Sequence, residues 1–242
     1  MKNVTHLMLL CLIATVLMAG CLETEEAAPA TVNQATLDKL GWTQSGEILT
    51  DSMTQDVAGV EIIINTAMVT YRDKNLMAEM INQLDKMLGT YGSSADGSGA
   101  GQFTSQFITF RIALPGGISI PESMLSGIID KQMQNMTQES NIQGFQEVSQ
   151  EKVTLNSGST VTAKSYEGFI ETGGEGMVSV KVRSVLATWN GDGTTTILIG
   201  IIPADDLVMS LPTDMRSSGT LTIDIDEEQE YQNILTLMKN VK

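Results

Sequence analysis

The rhythm of apolar and polar residues changes several times along this chain, and each rhythm predicts an element. Residues 60–72 are rich in β-branched side chains. Residues 47–55 precede them across a Val57-Ala58-Gly59 turn, so two strands are expected here. The period then lengthens. Leu76, Met77, Met80, Ile81, Leu84 and Leu88 share one face of a helical repeat, which predicts a helix over Lys74–Leu88 that Gly89 stops. Upstream, residues 35–40 read as a first helical turn, with Trp42 the first bulky anchor. Downstream, residues 102–114 predict a strand. Pro115-Gly116-Gly117 then turns the chain into a second helix, with Pro121 in its first turn and an apolar stripe of Met124, Leu125, Ile128, Ile129, Met133 and Met136. Two hairpins follow, pairing residues 146–155 with 160–171 and 177–189 with 194–202. Val178, Val180 and Val182 alternate with Ser179, Lys181 and Arg183, so one face of that strand is buried and one is wet. Residues 197–202 are uniformly apolar, as in a central strand. The last helix starts near Asp226, where Asp226 and Gln229 have capping-box spacing, and it buries Tyr231, Ile234, Leu235, Met238 and Val241.

The order ββ-α-β-α-ββββ-α favours hairpins over parallel crossovers. It predicts an α+β fold: a mainly antiparallel sheet of about six to seven strands with helices packed on its faces. Residues 36–242 show no internal repeat and no linker, so they are expected to form a single globular domain.

The first 21 residues follow a different logic. Lys2 and His6 precede an apolar run over residues 7–18, and Ala19-Gly20 leads to Cys21. A basic start, an apolar core of roughly 7–15 residues and small residues at the cut make a secretory signal. A membrane span needs about 20 apolar residues, and Glu23, Glu25 and Glu26 end this run too early. The segment therefore reads as an export signal, and with Leu17-Met18-Ala19-Gly20-Cys21 at its end it resembles a lipoprotein signal, a resemblance that implies residues 1–20 as the signal peptide and Cys21 as the lipid acceptor. Residues 21–35 are read as a short acidic tether. The expected location is the outer face of the cytoplasmic membrane, with the membrane reached through lipid on Cys21.

Charge and composition narrow the function. The 242 residues carry 29 Asp and Glu against 14 Lys and Arg, a formal net charge of −15. Cleavage removes one base, Lys2, and no acid. Phosphate backbones are bound by Lys and Arg, so nucleic acid is not an expected partner. Cys11 and Cys21 are the two cysteines and His6 is the single histidine. Cys11 and His6 leave with the signal, so the mature chain has no histidine and no free thiol once Cys21 is acylated. That excludes an intrachain disulfide, thiolate or imidazole zinc sites, and Ser-His-Asp or Cys-His catalysis. No cofactor is expected, and the chain is not expected to be an enzyme.

Several candidate sites remain. Asp224, Asp226, Glu227, Glu228 and Glu230 form the densest acidic cluster, and Asp224, Asp226 and Glu227 are weak candidates for a hard cation. The dipole at a helix N-terminus explains the same acids without a metal. Asn190-Gly191-Asp192-Gly193 suits a tight hairpin turn. Met77, Met80, Met124, Met133 and Met136 fall on helix stripes, which core filling explains better than soft-metal binding. The Gly-rich residues 92–101 lack the Gly-Lys-Ser/Thr ending of a phosphate loop and read as a connector or lid. Asn135-Met136-Thr137 is a glycosylation sequon, which makes Asn135 a candidate acceptor.

Leu17-Met18-Ala19-Gly20-Cys21 with the acidic tether behind it resembles the opening of acidic archaeal lipoproteins, many of them uncharacterised. The resemblance implies a surface lipoprotein and carries over one site, Cys21. The element order also resembles the α-β-α sandwich of PsbP-like proteins, whose members often serve as non-enzymatic accessory or assembly proteins. The expected role is therefore that of a lipid-anchored accessory or interaction module of the envelope, engaging an envelope protein partner. The alternative is a small-ligand or cation-binding surface lipoprotein. A carboxylate-dependent glycosidase would need two facing acids, which sequence alone does not pair.

Overall fold

The computed structural model describes residues 26–57, 60–88, 104–117, 120, 142–171, 179–191, 193–210 and 220–242. The chain runs α1 (Gln34–Leu40), β1 (Trp42–Gln44), β2 (Leu49–Val57), β3 (Val60–Asp73), α2 (Lys74–Leu88), β4 (Gln106–Ala113) and a short 3-10 turn at Pro115–Gly117. It continues with β5 (Ile142–Thr154), β6 (Thr160–Glu171), β7 (Ser179–Gly191), β8 (Thr194–Pro203), β9 (Leu207–Ser210), β10 (Thr220–Ile223) and α3 (Glu227–Lys239). Among the described residues, one antiparallel sheet has the order β1-β3-β4-β8-β7-β6-β5, with β2 also paired to β3, and β9 with β10 makes a separate two-stranded ribbon. The fold is α+β and mostly antiparallel sheet. It has more strands than the apolar pattern predicts.

The extra strands have physical reasons. β1 pairs with β3 at Tyr71–Asp73 and β2 pairs with β3 from Val60 to Met68. β4 takes the other side of β3, so β1 and β2 are two pieces of one edge. The chain leaves that edge at Gly46, whose φ of 77° suits glycine. It rejoins at Leu49, after the Ser45 N–H has reached the Thr70 carbonyl at 2.8 Å. Three residues of β1 are too few to show a period of two. The four-residue strands β9 and β10 escape notice for the same reason.

Alternation along the strands sorts the core into two faces. On the first, Val69, Tyr71, Phe107, Val185, Ala187, Leu198 and Ile202 meet Leu37 of α1 and Ile234, Leu235, Leu237 and Met238 of α3. Gly200 permits this approach, because a Cβ there would lie 2.4 Å from the Ile234 side chain. On the second, Ile64, Ile112, Leu186, Ile197 and Ile199 cluster with Leu114 and Ile120. Leu76 and Met80 of α2 pack with Val180, Val182, Leu207 and Ile223, so α2 joins the end of the sheet to the small ribbon.

The fold also takes in residues 27–33, which the sequence places in the tether. Ala27, Ala30 and Val32 are buried, the Tyr71 hydroxyl accepts the Val32 N–H at 3.0 Å, and Val32 bridges to Val241. The beginning and end of the domain therefore lie side by side. Residues 1–25 with Cys21, the 92–101 loop, and the second predicted helix with Pro121, its stripe from 124 to 136 and Asn135 all lie outside the described residues. No described helix is long and apolar enough to cross a membrane.

Candidate functional site

Two helix N-termini converge at one end of the sheet, and a carboxyl group from each side meets there. Asp73 ends β3 directly opposite Trp42 of β1, and its N–H reaches the Ser105 carbonyl at 3.1 Å. Its Oδ1 accepts the N–H groups of Asn75 at 2.7 Å and Leu76 at 3.1 Å, which caps α2. On the other side Asp226 caps α3, accepting the Gln229 N–H at 2.9 Å. Gln229 does not close a reciprocal capping box; its Nε2 donates to Asn233 Oδ1 at 3.0 Å. One turn into α3, the Glu230 carboxyl turns inward to lie beside the Asp73 carboxyl at the cleft.

Two buried carboxyls side by side favour holding a proton, because burial and like charge both disfavour the ionised form. Burial pushes Glu230 up to about 7. The Asp73 charge and hydrogen bond add to the rise, and the hydroxyl of Ser105 and the amide of Asn233 oppose it. Burial also raises Asp73, against the lowering effect of the Leu76 and Asn75 amides. Neither Ser105 Oγ nor Glu230 Oε2 makes a well-aligned hydrogen bond, and both atoms are buried. An open cleft of about 390 Å³ lies over the pair. Lys39 of α1, Asn75 and Glu79 of α2, and Asp224, Asp226 and Asn233 line it further.

Chemically this is a close pair of buried carboxyls between two helices, both raised by burial. A glycosidase needs its two carboxyls about 5 Å or more apart to flank a bond, and these two are in contact. Acid–base dyads do share a proton. Here, however, an oxygen of Asp73 is held by two backbone amides and the residue is 4% exposed, although both carboxyls line the cleft.

The structure separates the other candidates. Asp224 is exposed on the cleft rim, Asp226 serves as the α3 cap, and Glu227 turns away to pair with Arg183 at 3.2 Å. Among the described residues no group of three or more acidic, His or Cys side chains is arranged to hold a metal ion. Arg183 stacks over the Tyr231 ring at 3.9 Å, and the Tyr231 hydroxyl donates to Glu151. Met80 fills core. Asp73 has no place in the sequence reading, although an Asp directly before an apolar helix is the ordinary signature of an N-cap.

A second feature lies at the free edge. The outer half of the β2–β3 hairpin, Met53–Val57 against Val60–Ile64, extends past Ala113, the end of β4. Leu49 is 58% exposed, Met53 46%, Ile63 41% and Ile48 39%. Leu49 and Met53 share the face of Ile64, whereas Ile63 lies on the opposite face. Among the described residues β2 pairs with β3 alone.

A family described as a domain of unknown function, DUF6517, matches residues 29–242. The chain belongs to this family. The matched region begins at residue 29, just before the buried Ala30 and Val32, and runs to Lys242, so it takes in the sheet, the cleft and the β2 edge together. No curated protein matches the chain.

Proposed function

We propose that this DUF6517 protein is a lipid-anchored cell-surface protein of the kind that acidic archaeal lipoproteins represent. In this reading the 1–20 signal exports it and lipid on Cys21 holds it at the outer face of the cytoplasmic membrane. It acts by binding, as a non-enzymatic accessory or interaction module of the envelope. The observation that carries the binding role is the exposed Leu49 and Met53 on one face of β2, a strand that among the described residues pairs with β3 alone, since exposed apolar side chains beside an open strand edge suit interaction. The anchoring role rests on the sequence, and the buried Ala27, Ala30 and Val32 sharpen it: only residues 22–26 separate the fold from Cys21. The finer fold reading, an α-β-α sandwich like that of PsbP-like proteins, belongs to the same proposal. Its support is that both sheet faces carry buried apolar rows.

Two measurements test these roles. Cys21→Ser should move the protein from the membrane fraction to the soluble fraction, and an unchanged distribution would refute the anchor. Crosslinking and pull-down from native membranes should recover an envelope protein, and recovery of lipid alone would count against the accessory role.

A small-ligand or cation-binding role is the second reading. The cleft favours it, with Asp73, Glu79, Asp224, Asp226 and Glu230 along its walls. A ligand that binds the native state raises the melting temperature, so a rise with calcium chloride, sugars or short peptides would favour this reading over the first.

A further inference from the structure

We infer that the short tether stands the protein on the bilayer with the outer end of the β2–β3 hairpin toward the lipid and the Asp73–Glu230 cleft turned away from it. This rests on the lipid anchor proposed above and names the surface that meets the membrane. The path of residues 27–33 carries it. The Val32 N–H reaches the Tyr71 hydroxyl, the Thr109 hydroxyl donates to the Ala30 carbonyl, Arg111 donates to the Ala28 carbonyl at 3.4 Å, and Ala27 packs with Ala67 and Ala113. Tyr71 stands opposite Phe107 in the register. Traced back from Val32 to Ala27, the chain therefore runs along β4 toward its last residue, Ala113. The cleft lies at the other end of the same strands, where the Asp73 N–H reaches the Ser105 carbonyl just before β4 begins. The fold thus releases the chain toward Cys21 at the pole opposite the cleft.

That exit is fixed. Arg111 also donates to the Lys242 carbonyl at 3.0 Å and to the Thr196 hydroxyl at 3.3 Å. Thr31 and Lys242 exchange two main-chain bonds, at 3.3 and 2.9 Å. From Ala27 the six steps to Cys21 (27 − 21) span at most about 20 Å. The outer half of the hairpin leaves the sheet in the same direction. Its register pairs from Met53–Ile64 to Val57–Val60 lie beyond the Asn65–Ala113 pair, a reach of about 16 Å at 3.3 Å per residue. Tether and hairpin therefore come to one level, whereas the cleft lies the length of β4 away, roughly 25 Å to the far side. Met53 and Ile63, 46% and 41% exposed on opposite faces of the hairpin, suit an apolar contact with the interface. Asp56 and Glu61 pair next to the turn, so the hairpin rests among the headgroups, because charge in the hydrocarbon is costly. At the cleft end Glu79, Asp224 and Asp226 are exposed, and their charges favour water.

The test uses the full-length acylated protein in phosphatidylcholine vesicles. Ile63→Cys and Glu228→Cys each carry a fluorophore, and a nitroxide on the lipid headgroup quenches it. The label at 63 should be quenched at least about 3-fold more than the label at 228, which starts α3 at the cleft end. A ten-residue Gly/Ser insert after Glu25 lies outside the fold and lets the body turn, so it should bring the two values together. Equal quenching without the insert, stronger quenching at 228, or a contrast that the insert leaves unchanged would overturn the proposal. Vesicle flotation reads the anchor separately. Protein that does not float refutes the anchor and this proposal with it, and protein that floats with equal quenching refutes the orientation alone.

Discussion

Glu230 carries the clearest consequence at the scale of a single residue. Its unfolded carboxyl titrates near 4.5 and its folded one near 7. The folded state therefore binds the proton more tightly. Stability from this group is complete below about pH 4.5 and is lost as pH rises through 7. At about 1.4 kcal/mol per pK unit the loss is about 3 kcal/mol at most, shared with Asp73. Glu230→Gln keeps a donor for the Asp73 carboxylate at every pH. Urea unfolding should show the variant within about 0.5 kcal/mol of the parent at pH 5 and about 1–3 kcal/mol more stable at pH 8. Equal pH profiles for the two proteins would contradict a proton held at this pair. The acidic run at 224–230 is visible in the sequence, and so is the capping role of Asp226. The pairing of Glu230 with a residue more than 150 positions earlier is not, because it depends on where β3 ends against β1 and on how α3 crosses the sheet. A second prediction concerns Tyr71. Tyr71→Phe leaves the buried Val32 N–H without its acceptor, so it should cost about 1–3 kcal/mol and speed hydrogen exchange at Val32.

At the scale of elements, the long and strongly patterned segments are the legible ones. The α2 stripe predicts Lys74–Leu88 and the structure has that helix; the strand expected over 160–171 is β6. The misses are short or interrupted elements. β1 has three residues, and β9 and β10 have four each. Their existence depends on partners across the sheet or ribbon, and a local pattern does not report those partners. The Gly200 contact is of the same kind. In sequence it is one glycine in an apolar run, Thr194–Pro203, yet α3 rests on it. Gly200→Ala places a methyl against Ile234 and should destabilise the domain by about 1–3 kcal/mol through overpacking. Met53→Lys, on the exposed edge, should change stability by less than about 0.5 kcal/mol. Chemical denaturation of the two variants side by side tests both expectations, and a Met53→Lys loss as large as that of Gly200→Ala would mean the edge is structural rather than open.

At the scale of the whole molecule, three features combine. The sheet core and α3 form a closed body whose beginning and end are tied together through Val32 and Val241. The fold starts within a few residues of Cys21, so a lipid there would keep the body close to the bilayer. The net charge of −15 favours solubility and a cationic partner. Among the described residues, the β2 edge sets one side of this body apart, with Leu49 and Met53 exposed beside it. Site-specific photocrosslinking in native membranes tests that claim most directly. A photoreactive residue at position 53 should give a discrete adduct with an envelope protein, and one at position 148 on the opposite edge should not. Matching adducts from the two positions, or none from position 53, would contradict the account.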